Sequence, residues 1–195
     1  MKSQAKKKAD IEKLVLSGIL TAIVVVLQYL GSFIKFGPFS ISLILIPIVI
    51  GAATCSTKIS AWLGFVFGVV VLMTDAAAFL AISVPGTVIT VLAKGIVCGI
   101  AAGLAYKLIE KKNIYVATAF AAIVAPIANT GIFLLGCVVF FFDTIKEWGA
   151  AAGFENAAMY MILGLVGVNF LIELAINVVL SPVIVRILNI RKKSK

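Results

Sequence analysis

The sequence predicts an all-α, polytopic membrane protein: a bundle of six transmembrane helices with both termini on the cytoplasmic side. Three observations predict it. Of the 195 residues, 63% are hydrophobic and only 13% are charged, and the mean hydropathy is +1.19, far outside the range of water-soluble domains. Apolar stretches recur from Leu14 to Leu188, and a helix needs roughly 20 such residues to cross a hydrocarbon layer of ~30 Å. The formal net charge of +9 is gathered in short clusters beside those stretches, as cytoplasmic flanks require, so no nucleic-acid partner is needed to explain it.

Helices are expected over 12–31, 41–55, 59–73, 86–109, 114–141 and 159–188. Together they make one membrane domain, a bundle over 12–188 between basic cytoplasmic tails at 1–11 and 189–195. The first helix follows Lys2, Lys6, Lys7 and Lys8 and so has the start of a secretory leader. Its apolar run is longer than a leader's and no small-x-small site follows, so a retained first span is expected. The second and third segments are short for a crossing, and either neighbours shield them or part of them is re-entrant.

Lys58 in the 55–58 turn, then Lys107, Lys111 and Lys112, and finally the terminal "RILNIRKKSK" place those connections and both termini inside. The connections "SFIKFGPFS", "TDAAAFLAISVPGT" and "FDTIKEWGAAAGFENA" hold few basic residues and are expected outside. The last two carry Phe79, Leu80, Trp148 and Phe154, unlike plain solvated turns. Lids over a cavity are one use for them; anchoring at the membrane interface by Trp148 and Tyr160 is the other.

Polar residues at membrane depth are the candidates for function. Lys94, in "VITVLAKGIVCGIAAGLAY", suits an anionic or strongly hydrogen-bonding ligand, or else a structural pairing with Glu173. Asn169, Glu173 and Asn177 are spaced by four and share one helix face; Asn169 is the better ligand candidate, and interhelical bonding is expected of the other two. In "APIANTGIF", Pro126 removes a backbone hydrogen bond and kinks the helix, and Gly131 is expected to let another backbone approach. Asn129 and Thr130, one turn beyond, either satisfy exposed backbone or face a cavity. The expected ligand site is therefore Lys94, Asn129, Thr130 and Asn169, with Trp148 and Phe79 covering its apolar part.

Cys55, Cys98 and Cys137 are too widely spaced for a metal pair and read as small core residues. Histidine is absent, which removes the commonest general base and metal ligand; no metal, no cofactor and no enzymatic activity are expected. No internal repeat points to the inverted halves of a stand-alone carrier. In "SGILTAI", Gly18 and Ala22 form a small-xxx-small pair that would let a partner helix approach in lipid.

This arrangement of helix count, termini, small pair, long outer loops and outer-half polar residues resembles an S component of an energy-coupling factor (ECF) vitamin transporter, over essentially the whole chain. The resemblance implies a vitamin captured from outside and docking on a transmembrane coupling subunit with two ATPases, which agrees with the lack of a Walker A motif. It maps the family's docking surface to Gly18 and Ala22, with Gly in place of the first Ala. Among substrates it suggests pantothenate, riboflavin or folate, and Lys94 favours the carboxylate of pantothenate. The rival reading is an autonomous carrier or channel without an ATPase partner.

Overall fold

The computed structural model describes residues 2–33, 35–36, 39–40 and 43–193. Nearly all of them are helical. Helix α1 runs Lys2–Ser32, so the basic segment expected as a tail continues the helix, of which Asp10–Ser32 is apolar enough to span. An antiparallel two-residue ladder follows, Lys35–Phe36 against Phe39–Ser40. Parts of the connection expected at 32–40 and of the helix start expected at 41 lie outside the described residues.

Helix α2 covers only Leu45–Thr54. Pro47 has no N–H to give and fits only a first turn, so a helix begun at 41 would have placed it in the interior. Ten residues rise about 15 Å at 1.5 Å each, half of a hydrocarbon layer. Instead of lipid, α2 meets protein: Leu45, Pro47, Ile48, Val49, Gly51 and Ala52 are buried against its neighbours.

Four further helices are long and apolar enough to cross, which with α1 makes five among the described residues. They are α3 (Thr57–Thr74), α5 (Val84–Ile109), α6 (Ile114–Phe140) and the stretch ending in α9 (Gly167–Lys193). Each start has a local cause. Ser56 Oγ accepts from the Ile59 amide at 3.3 Å, Ser83 Oγ from that of Gly86 at 3.2 Å, and Asn113 Oδ1 from Tyr115 and Val116 at 2.8 and 3.2 Å. These side chains satisfy amides that the first turn of a helix leaves orphaned.

The two apolar connections expected outside contain helices of their own, α4 (Ala77–Leu80) and α7 (Phe142–Ala151), and α8 (Ala157–Met159) leads into a π-helical stretch, Tyr160–Val166. The helix expected over 159–188 is thus divided: it changes winding at Gly167, where α9 begins. Pro126, where a kink is expected, lies inside α6 as expected, and the helix continues through it.

Helices α3 and α5 meet backbone to backbone. A Cβ added at Gly64 would collide with the Gly95 carbonyl, one at Gly95 with the Gly64 carbonyl, and one at Gly99 with that of Ser60. Small residues let backbones meet where lipid supplies no hydrophobic drive for helix association. The expectation that Gly131 serves such an approach is corrected, because a Cβ there would meet nothing within 4 Å. Gly136 takes that role in α6, against the side chain of Thr90. Cys98 and Cys137 are buried, as expected of core residues, whereas Cys55 at the end of α2 is only half-buried.

Candidate functional site

At the end of the bundle where α3 finishes and α5 begins, the helices part around a cavity. Its empty space, counting the open mouth, is about 810 Å³. Lys94 lies ten positions into α5 from Val84, Asn129 and Thr130 follow Pro126 in α6, and Asn169 and Glu173 lie in the first two turns of α9; all five line the cavity. Thus Lys94, Asn129, Thr130 and Asn169, read separately from the sequence, share one space. Glu173, expected to serve helix packing, lines it as well.

The Lys94 ammonium sits 5.4 Å from the ring centre of Phe67 and 5.5 Å from that of Phe133. Ring faces attract a cation electrostatically. The carboxylates of Glu173 and Asp75 line the same cavity. The aromatic faces offset part of the cost of a cation at such depth.

Asn129 is 6% and Thr90 4% exposed, yet Asn129 Oδ1 and Thr90 Oγ1 have no hydrogen-bond partner among the described residues. Asn177, one turn beyond Glu173, donates from Nδ2 to the Glu173 backbone oxygen at 2.7 Å, a bond within its own helix where an interhelical one was expected.

The roof is aromatic. Phe79 of α4 lines the cavity, and its ring meets Phe133, Phe141 and Trp148 edge to face with centroids 5.8, 5.0 and 5.6 Å away. These belong to a cluster with Cys137, Ile145, Ala157, Met161 and Leu165, so α4 and α7 cover the cavity as lids would. Trp148, expected to cover ligand directly, is not among the described lining residues; it braces Phe79 from behind. Tyr160, the other candidate anchor, stacks on Phe154 with centroids 5.3 Å apart.

Sequence reasoning missed Gln28, Asp75, Thr87 and Thr90, all of which line the cavity. Asp75 follows the last residue of α3 and accepts from Gln28 Nε2 at 2.6 Å. The available signal was Gln28 itself, a polar residue in the run "LTAIVVVLQYL". Gly18 and Ala22 are far from the cavity on the exposed surface of α1, and a Cβ at Gly18 would meet nothing within 4 Å.

A profile of the family described as "ECF transporter, substrate-specific component" matches residues 12–185. The chain therefore belongs to that family: it is the substrate-specific component of an ECF transporter, a multi-pass protein of the plasma membrane that works with a coupling subunit and ATPases. Comparisons with curated proteins and with solved structures gave no match.

Proposed function

We propose that this chain captures a water-soluble vitamin from the outer side of the membrane in the cavity roofed by Phe79. The observation that carries the reading is the convergence of Lys94, Asn129, Thr130 and Asn169 from three helices onto one space, where Asn129 Oδ1 and Thr90 Oγ1 have no hydrogen-bond partner among the described residues. Burying such atoms is unfavourable unless something pairs with them. Pantothenate is the favoured substrate, ahead of riboflavin and folate. Its carboxylate suits Lys94, and its hydroxyls and amide suit a site that also holds Asp75 and Glu173.

In this reading the chain crosses six times, with α2 embedded among its neighbours as the sixth passage and both termini cytoplasmic. The Lys/Arg distribution supports that orientation. Gly18 and Ala22 meet the coupling subunit, and the chain binds without chemistry of its own, whereas an autonomous carrier would transport with no ATPase present.

Isothermal titration of the purified chain with pantothenate, riboflavin and folate tests the site. A charge-assisted bond in a lidded site contributes roughly 1.5–3 kcal/mol, so Lys94→Met should weaken the best ligand about ten- to a hundredfold. Unchanged affinity together with a lowered melting temperature would instead make Lys94 a structural partner of Glu173.

A further inference from the structure

Helix α1 contributes Gln28 to the cavity. The residue is 2% exposed, and its Nε2 donates to Asp75 Oδ2 at 2.6 Å and to Thr74 Oγ1 at 3.3 Å. A carboxylate accepts and never donates, so this contact fixes which end of the amide is nitrogen and which is oxygen. Oε1 is left without a hydrogen-bond partner among the described residues, like Thr90 Oγ1 and Asn129 Oδ1 on the same cavity. Two of these three atoms can only accept. The Lys94 ammonium lies elsewhere, beside Phe67, about two turns of α3 before Asp75.

We propose that Gln28 is a specificity-determining residue that accepts a hydrogen bond from the captured ligand, so that the substrate carries an N–H or O–H donor besides the group that meets Lys94. Asp75 is a positioning residue: it holds the Gln28 amide so that oxygen, not nitrogen, is offered. The inference rests on the reading that this cavity captures the ligand. It adds that an acid with no further donor, however well its carboxylate fits Lys94, is rejected, because the buried acceptors would then be sealed without partners.

The test uses the purified full chain and titration with pantothenate, riboflavin, folate and octanoate, the last a carboxylate with no donor at neutral pH. At least one of the first three should bind, and octanoate should not. The best binder is then compared with analogues in which its N–H or O–H groups are methylated one at a time. Wild type should disfavour at least one analogue by roughly three- to tenfold, the worth of a single neutral hydrogen bond. Gln28→Leu and the similarly sized Gln28→Met should erase that preference, while Lys94→Met should weaken parent and analogue alike. Equal affinity of wild type for parent and every analogue overturns the inference with no variant needed, as does tight octanoate binding. A preference that survives both Gln28 variants while Lys94→Met still weakens binding overturns it alone. Lys94→Met and Asn129→Ala both without effect, or no probe binding, overturns the cavity reading with it.

Discussion

The two ends of the bundle are packed by opposite means. Away from the cavity, α3 and α5 meet through Gly64, Gly95 and Gly99, and Ala102, Ala105, Ala117 and Ala121 are small members of the core there. Around the cavity, Phe79, Phe133, Phe141 and Trp148 replace them. Small residues bring backbones together and leave no space; large rings set at steep angles hold helices apart and roof what remains. Ser60 at the glycine end donates to the Ile48 carbonyl at 3.0 Å, whereas Asn129 Oδ1 at the cavity has no hydrogen-bond partner among the described residues. In the proposed function a ligand completes the cavity end.

The strongest way to break this contrast is at the glycine seam. Gly95→Leu forces a side chain into the Gly64 carbonyl, a backbone contact that no rotamer change relieves. Loss of folded protein in detergent size-exclusion chromatography is expected, with destabilisation at or above the ~3 kcal/mol upper range of ordinary overpacking. Gly131→Leu, in open space, should elute as wild type; equal behaviour of the two would remove the distinction.

A replacement outside both regions sharpens it. Changing Gly18 and Ala22 together to Leu should abolish uptake by the assembled transporter and leave vitamin binding by the isolated chain intact, since both residues are exposed on α1. Binding lost along with uptake would place them in the subunit's own packing.

At the cavity end the effects are graded. Asn129→Ala should lower affinity by about three- to tenfold with the melting temperature nearly unchanged, because its Oδ1 supports nothing else in the described structure. Trp148→Leu removes the brace behind Phe79 and should cost about 0.5–1.5 kcal/mol of aromatic contact, seen mainly as faster ligand release. A Trp148 effect exceeding that of Asn129 would mean that the roof, not the polar wall, determines affinity.

Hydropathy made the long helices legible, and Lys94, Asn129 and Asn169 stood out because lipid makes polar residues conspicuous. Gln28 and Asp75 did not. Each sits near the end of a span, where a polar residue is ordinary, and only their 2.6 Å contact gives them meaning. The glycine seam was legible in principle, since Gly64 and Gly68 and then Gly95, Gly99 and Gly103 repeat at four-residue spacing. Gly18 and Gly131, by contrast, have open space beside them. The π-helical stretch at Tyr160–Val166 has no proline to mark it; within it Gly164 leaves room for the Tyr160 ring one turn earlier.

The rings beside Lys94 bear on how the site is emptied. With Phe67 and Phe133 about equally distant from the ammonium, the empty cavity does not strand a bare cation; aromatic faces already occupy part of its field. In the proposed function capture is then an exchange at Lys94, ligand oxygen for ring face, and discharge is its reverse. A subunit that must grip its cargo on one side of the membrane and surrender it on the other gains from a counter-ligand that never leaves.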